Sequence, residues 1–190
     1  MARQDTSAQI LDIARDILSQ EGAGTLSFDA IARRLGKSKQ AVLYWYPSKH
    51  ALLAALYLPW LEAEADTAVA AIDGVEATPD AVRAFVRAVA AFHLADLDRF
   101  RLMYLAPQTQ RGTRSDGVAA QVPLVTDRLY GALAERLKGP RARAEATAIH
   151  AAVLGVVMMV ALGEAVEDPL KHDAETLVTA LADRLARQAA

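Results

Sequence analysis

Glycine and proline residues divide this chain into segments of helix length. The residues between them are rich in alanine and leucine, which are strong helix formers. Apolar residues recur every three or four positions, and no run has the period of two that is typical of a half-buried strand. We therefore expect an all-α fold. Its helices are bounded or interrupted by Gly22, Gly24, Gly36, Pro47, Pro59, Gly74, Pro79, Pro107, Gly112, Gly117, Pro123, Gly139, Pro140 and Pro169.

The 190-residue chain contains no cysteine, and 53% of its residues are hydrophobic. A chain of this length can bury a core without a disulfide or metal staple. The absence of cysteine excludes disulfide frameworks, thiolate zinc sites and thiol nucleophiles. The polar N-terminus lacks the apolar run of a signal peptide, and the most apolar stretch, 151–162, is shorter than the ~20 residues that span a bilayer. We expect a cytoplasmic protein without a metal or cofactor.

The first predicted helix is amphipathic and ends near Gly22. Thr6 and Gln9 have the spacing of a capping box, which predicts that the helix begins at Thr6. A glycine at position 22 is typical of a helix C-terminus. The apolar face of this helix comprises Ile10, Ile13, Ala14, Ile17 and Leu18.

Two short helices follow, joined by a turn that contains a glycine. Ser27 is a good N-cap and predicts a helix over 28–35. The turn spans residues 36–38, and the next helix, 39–45, must end before Pro47 because proline disfavours helical geometry in the residue before it. Two short helices with such a turn are typical of a helix-turn-helix unit.

The remaining chain contains six further helical segments. The first of them starts after an N-cap at Ser48 and runs into the sixties, with a kink expected at Pro59. The others are predicted at 79–95, 97–105, 123–138, 141–163 and 173–188, with a polar loop at 107–122.

The net charge of −2 conceals an uneven distribution. Residues 1–50 hold seven basic and five acidic residues, about +2, whereas residues 51–190 hold 14 and 18, about −4. Between residues 31 and 49 the charged residues are all basic, whereas those between residues 62 and 80 are all acidic. A basic N-terminal head on an acidic body is typical of a nucleic-acid-binding protein of ordinary total charge. The five basic residues are Arg33, Arg34, Lys37, Lys39 and Lys49.

In a helix-turn-helix unit, the N-terminal residues of the second helix reach base edges in the major groove. Here those residues are Lys39, Gln40 and Ala41. Gln40 can pair with adenine, Lys39 can donate to guanine or phosphate, and Ala41 can pack on a thymine methyl group. Tyr44 and Lys49 suit phosphate contacts through a phenol hydroxyl and a long cationic side chain.

Residues 27–53 resemble the DNA-binding region of the TetR family of transcriptional regulators. The features that carry the resemblance are Ser27, the pair Ile31-Ala32, Gly36, the pair Ser38-Lys39, the aromatic run Tyr44-Trp45-Tyr46, the pair Ser48-Lys49 and Leu52. The resemblance implies a DNA-binding domain over 1–50 and a ligand-binding and dimerisation domain over 51–190. It implies DNA contacts from Ser27, Ser38, Lys39, Gln40, Ala41, Leu43, Tyr44, Trp45 and Lys49.

Three positions depart from the family pattern. Leu43 stands where an aromatic residue is usual and cannot donate a hydrogen bond. Trp45 stands at the usual histidine, although its indole N–H can still donate to phosphate, and Gln40 replaces a frequent glycine. Operator preference is therefore not transferable from the family. Other residues of the region have structural interpretations: Val42 and Tyr46 as core, Arg33 and Arg34 as a solvated face, and Asp29 as a helix-start charge.

The resemblance also implies a body that binds a small effector and forms a homodimer, so that the chain is a repressor of a palindromic operator released by that effector. Small residues in 141–163 and an apolar stripe in 173–188 favour a dimer interface through these two segments, although both could instead pack within one subunit. We expect a largely hydrophobic effector with one or two polar groups, because the polar tips of His93, Tyr104 and His150 need a partner in an apolar helix bundle. The candidate lining residues are Phe85, Val89, Phe92, His93, Phe100, Met103, Tyr104, Leu129, His150 and Met158.

An enzyme is the first rival interpretation and finds no support in the motifs. The sequence has no Gly-rich phosphate loop, nucleophile elbow or HExxH pattern. His93 and Asp96 have the spacing of a metal half-site, but no matching pair completes it. The second rival is a helical small-molecule-binding dimer whose DNA binding is weakened or lost, which Leu43 and Trp45 leave open.

Overall fold

A computed structural model describes residues 2–22, 24–105, 121–166 and 173–189. In these residues the chain forms helices α1 to α9 and no strand, which confirms the predicted all-α class. The helices are α1 Ala2–Glu21, α2 Phe28–Leu35, α3 Lys39–Trp45, α4 Lys49–Ile72, α5 Thr78–Leu94, α6 Leu97–Phe100, α7 Gln121–Leu137, α8 Ala142–Ala165 and α9 Ala174–Gln188.

Three sequence-based boundaries were wrong. Helix α1 begins at Ala2, so Thr6 lies inside it and cannot be its N-cap; the residues before Thr6 propagate the helix despite the capping pattern. The predicted helix over 97–105 is α-helical only to Phe100 and continues as a π-helix over Arg101–Leu105. The predicted polar loop 107–122 lies outside the described residues except for its last two, which begin α7.

Backbone contacts divide the described chain into two compact units. The first unit contains the described residues within Met1–Trp60 and Arg101–Pro123, and the second contains those within Leu61–Phe100 and Leu124–Ala190. Helix α4 contributes to both, and its division falls one residue after Pro59. The predicted domain boundary after residue 50 remains a prediction.

The first unit has a core built from the apolar faces of its short helices. Helix α1 packs on α2, and α2 on α3. Ile10 and Ile17 of α1, Ile31 of α2 and Val42 of α3 are all completely buried, as the helical spacing of these residues predicts.

The second unit is centred on α5, which packs on both α8 and α9. Phe85 and Val89 on α5 are completely buried, and the face of α9 that includes Ala182 is buried within the chain. At the edge of this contact Arg83 donates from Nε to the Asp183 carboxylate at 3.0 Å. The apolar stripe of the last helix is thus used in part for packing within one subunit.

The apolar part of helix α8 is longer than the stretch 151–162 that was expected from the sequence. Residues Ala142–Glu164 have a mean hydropathy of 2.1 in their most apolar window, and by length and composition alone this helix could cross a membrane. Only 39% of that window is buried inside the protein. A single helix of this kind is weak evidence for a membrane span, because the core helix of a soluble protein passes the same test.

We predict that Gly36→Ala lowers the free energy of unfolding by about 1–3 kcal/mol, because Gly36 has a φ of 67°, which a residue with a Cβ adopts only with strain. The control is Gly131→Ala in α7, where an added Cβ meets nothing within 4 Å and φ is ordinary. That substitution is expected to be neutral or stabilising because alanine favours helix. Urea unfolding of both variants measures the difference, and equal stability of the two would contradict the backbone argument.

Candidate nucleic-acid interface and effector site

The turn between α2 and α3 is defined by side-chain caps and one left-handed residue. Ser27 Oγ accepts a hydrogen bond from the Ala30 amide at 3.1 Å and starts α2. Gly36 ends α2 in the left-handed conformation, and its N–H bonds back to the last turn. Ser38 Oγ accepts from the Ala41 amide at 3.3 Å and starts α3. The predicted helix-turn-helix is confirmed at the predicted boundaries.

Helix α3 is buried on one side and open on the other. Val42 is completely buried and Tyr46, just after the helix, is 8% exposed, which confirms their interpretation as core. The Tyr46 hydroxyl lies 2.8 Å from Ser7 Oγ, so the end of α3 is hydrogen-bonded to α1. The face of α3 opposite Val42 remains open to a ligand.

None of the nine predicted DNA-contacting residues is buried. Ser27, Ser38, Lys39, Gln40 and Tyr44 are exposed, and Ala41, Leu43, Trp45 and Lys49 are half-buried. Tyr44 is 67% exposed, and its ring meets that of Trp45 edge-on at 5.6 Å between centroids. The structure therefore places these side chains where DNA could reach them, and their contacts stay predictions.

The start of α4 presents a second set of donors. Ser48 Oγ accepts from the Ala51 amide at 3.0 Å and caps the helix, as predicted. Lys49 is the first residue of α4, and partial burial lowers the pKa of its ammonium group. The positive end of a helix and an adjacent lysine suit an anionic ligand such as a backbone phosphate.

Two of the basic residues form ion pairs inside the first unit. Lys39 Nζ lies 2.8 Å from Asp29 Oδ2, and Arg34 pairs with Glu21 at the end of α1. Asp29 is the helix-start charge that the sequence predicted, but its bond to the first residue of α3 was not foreseen. The spacing of ten residues across a turn carries no periodic signal that would have revealed it.

The predicted effector-site residues fall into different environments. Phe85, Val89, His93, Phe100, Leu129 and His150 are buried in the second unit, and Phe92 is half-buried there. Met103 and Tyr104 belong to the first unit. Met158 is 40% exposed on α8.

A buried carboxylate joins the two predicted histidines. Glu64 on α4 is only 1% exposed, and its Oε1 lies 2.6 Å from His150 Nε2 and 3.0 Å from His93 Nε2. The other nitrogen of His150, Nδ1, lies 3.2 Å from the Tyr130 hydroxyl. The Glu64 carboxylate of α4 thereby contacts α5 through His93 and α8 through His150, and His150 in turn contacts Tyr130 of α7.

Electrostatics favour the ionised form of Glu64. Burial opposes ionisation, but the hydrogen bond with His150 and the two imidazoles beside the carboxylate outweigh it and lower the pKa of Glu64 to about 2. Burial, with the Glu64 charge, raises the pKa of Tyr130. The histidines thus have a partner within the protein, which answers the need for a polar partner that their positions predicted.

Aromatic rings surround this network. His93 meets Phe92 and Phe100 with ring centroids 5.1 and 5.3 Å apart, and His150 meets Phe85 at 6.4 Å. Five of the predicted lining residues are therefore neighbours in one cluster of the second unit. Glu64 itself was missed, because it was interpreted only as part of an acidic stretch. Its signal was its place on the buried stripe Glu64, Ala68, Ile72 of α4.

The described residues of the second unit form an open groove of about 470 Å³ between α5 and α9, and none of the ten predicted residues lines it. Within the described residues, no group of three or more His, Asp or Glu side chains is arranged to hold a metal ion. The groove is lined by Arg87, Ala90, Ala91, Leu94, Ala174, Glu175, Val178 and Thr179.

Part of this chain matches a known protein family. Residues 10–56 match the sequence model of the bacterial regulatory proteins of the tetR family. The chain is 32% identical over 135 residues to the HTH-type transcriptional regulators Mb1846 of Mycobacterium bovis and Rv1816 of Mycobacterium tuberculosis. The match covers 70% of this chain and 58% of each relative, so the chain spans less than two thirds of their length.

Solved structures share the fold at low identity. The putative regulatory protein SCO4313 superposes with a TM-score of 0.74 at 19% identity and covers 97% of this chain and 96% of that one. The regulator FadR of Bacillus subtilis, solved with stearoyl-CoA, superposes with a TM-score of 0.70 at 13% identity and covers 94% and 97%.

We predict that Glu64→Gln destabilises the protein at neutral pH, because it removes a buried charge from between two imidazoles. The native pKa of Glu64 lies below its ordinary value, so its ionisation contributes stability that is complete above pH 4.5 and is lost as the pH falls toward about 2. The stability gap between wild type and variant, measured by urea unfolding from pH 7 downward, should therefore shrink below pH 4.5. The exposed neighbour variant Glu62→Gln is the control, and a gap that grows in acid would contradict the assignment.

Proposed function

Because the chain belongs to the TetR family of bacterial transcriptional regulators, we propose that it is a repressor that binds a palindromic DNA operator as a homodimer. We further propose that a small, largely hydrophobic effector releases it from DNA, and that it acts in the cytoplasm. The observation that carries the DNA-binding part is the helix-turn-helix, whose second helix buries Val42 and exposes Lys39, Gln40 and Tyr44.

The exposed face of α3 suits the major groove. A carboxamide at Gln40 can pair with two groups of adenine, and the Lys39 ammonium can donate to guanine. Tyr44 and Lys49 flank this face with donors suited to phosphates, which position a protein on the duplex without reading its sequence. Leu43 and Trp45 are half-buried at the edge of this face. Leu43 offers DNA an apolar side chain there, and Trp45 offers an indole N–H.

A dimer would cover the exposed apolar face of α8. The side chains of Met158, Met159, Leu162 and Val166 are 40%, 56%, 51% and 70% exposed. Small residues continue the same stripe toward the N-terminus of the helix at Ala148, Ala151 and Gly155. Small residues at such spacing allow two helices to approach closely. In a two-fold symmetric dimer the same surface of each subunit contacts its copy, so this one apolar face can form the interface. Helix α9, with half-buried Leu177, Leu181 and Leu185, would complete the interface.

The effector proposal rests on the aromatic and aliphatic cluster of the second unit. The buried side chains around His93 and His150 favour a largely apolar ligand with a small number of polar groups. The FadR structure with stearoyl-CoA shows that one protein of this fold binds a ligand with a long acyl chain. For this chain, a ligand polar group would compete with Glu64 for the two imidazoles.

We propose that α4 couples the effector to DNA. The helix begins at Lys49, beside the DNA-binding face, and carries Glu64 fifteen residues later in the second unit. An effector that binds more tightly to the DNA-incompetent conformation would move α4 and weaken DNA binding, since a ligand shifts an equilibrium only through its differential affinity.

The alternative is a helical small-molecule-binding dimer that has weakened or lost DNA binding. The features that favour it are Leu43, which cannot donate a hydrogen bond, and Trp45, which stands at the usual histidine. The two functions differ in one observable: a DNA-binding protein loses affinity for duplexes steeply as salt rises, whereas the alternative shows little binding at any salt concentration.

We predict that Tyr44→Phe and Lys49→Gln weaken binding to all duplexes by similar factors, because both remove phosphate contacts. The Lys49 variant should also reduce the slope of log affinity against log salt by about 1. Gel-shift titrations at two salt concentrations measure both effects, with exposed Lys138→Gln of the second unit as the control. A Lys49 variant with the wild-type slope would refute its phosphate contact.

Gln40→Ala should change base preference, because Gln40 is proposed to read a base edge. Affinity for the duplex selected from a random pool is expected to fall by a factor of roughly 5 to 100, with little change for an unrelated duplex. Parallel selections with wild type and variant measure the preference. A uniform loss on both duplexes would exclude direct readout by Gln40.

We predict that Leu162→Lys in α8 converts the dimer to a monomer, because a charge in the centre of an apolar interface is left unpaired. Leu124→Lys, at a 68% exposed leucine of α7, should leave the dimer intact. Sedimentation velocity distinguishes the two states. A dimeric Leu162 variant, or a monomeric wild type, would rule out the α8 interface.

A further inference from the structure

We propose that Asp29 is a specificity-determining residue for DNA that acts through Lys39. The inference rests on the proposed DNA-binding function and extends it, because no acidic residue was among the predicted DNA contacts. Asp29 holds the ammonium of the first residue of the recognition helix in one place. It thereby makes the Lys39 contact depend on the base rather than on any nearby phosphate.

The geometry supports this role. Asp29 lies in the first turn of α2 and Lys39 is the first residue of α3, so the ion pair bridges the two helices across the turn. The Nζ–Oδ2 distance is 2.8 Å, and the two side chains are 51% and 62% exposed. Both groups therefore face the solvent that DNA would displace.

The pair changes what the lysine can do. A lysine side chain has a flexible four-carbon stem, and a free ammonium at the DNA surface reaches whichever phosphate is nearest. A partnered ammonium keeps donors for a second acceptor, such as guanine O6 or N7, in a direction that the carboxylate fixes. The same carboxylate repels phosphates, so binding to unrelated sequences loses affinity while a site with a suitably placed base edge does not.

A second ion pair of the same unit provides a matched control. Glu21 pairs with Arg34, and both side chains are partly exposed, at 43% and 39%. Arg34 lies in the last turn of α2 and not in the recognition helix. Neutralising Glu21 removes the same charge from the same unit but leaves Lys39 held by Asp29.

The test compares Asp29→Asn, Glu21→Gln, Lys39→Gln and the double variant of positions 29 and 39, each checked for wild-type helicity. Each protein is used to select duplexes from a pool with a randomised centre, and is titrated against one unrelated duplex at several salt concentrations. For Asp29→Asn we expect tighter binding to the unrelated duplex, a salt slope steeper by about 1, and a preference for the guanine-containing position reduced roughly five- to tenfold. Glu21→Gln should retain the wild-type preference.

The remaining outcomes separate the inference from the function on which it rests. In the Lys39→Gln background, the Asp29 substitution should no longer change base preference, since the effect passes through the lysine. If it changes preference equally in both backgrounds, or if Asp29→Asn selects the same sequences as wild type with the same selectivity, the inference is wrong and the DNA-binding function stands. If wild type binds no duplex at low salt, the proposed function and the inference both fail.

Discussion

The left-handed backbone at Gly36 sets the direction in which the proposed DNA-binding face points. It ends α2, and only two residues separate it from the start of α3, so the angle between these helices depends on a conformation that glycine adopts readily and other residues do not. The Ser27 and Ser38 caps fix the helix starts on either side of the turn. Val42 can reach the core, and Gln40 can remain outside it, only because this short connection holds its shape.

The second unit depends on a different constraint, the burial of one charge. Glu64 is ionised in an apolar interior, and a charge there is tolerated only when it is paired and hydrogen-bonded. His93 and His150 supply that pairing from two other helices. A ligand that moves these imidazoles must also move the Glu64 side chain. Glu64 lies on α4, the helix that begins with Lys49. This shared helix is the physical basis of the proposed coupling.

The local structure of the first unit could be predicted well because its signals are local. Serine caps at positions 27 and 38 and a glycine at 36 each act within a few residues, so the bounds of α2 and α3 followed directly from sequence. The N-terminus of α1 could not be predicted in the same way, because Thr6 forms a capping pattern within residues that themselves favour helix.

The contacts that the sequence did not reveal join residues far apart in the chain. Glu64 and His150 are separated by 86 positions, and helical periodicity says only that each lies on a buried face. The Asp29–Lys39 pair likewise depends on how a turn directs two side chains. The two histidines were identified as polar groups in need of a partner, but the partner became visible only once the helices were packed together.

Backbone NMR of the isotope-labelled protein, titrated with a short duplex selected from a random pool, tests the proposed contact of DNA with the exposed face of α3 and the start of α4. We expect the largest amide shift changes in residues 27–49, and we expect these changes to diminish as salt is raised. Shift changes concentrated in the second unit, or none at any salt concentration, would contradict it.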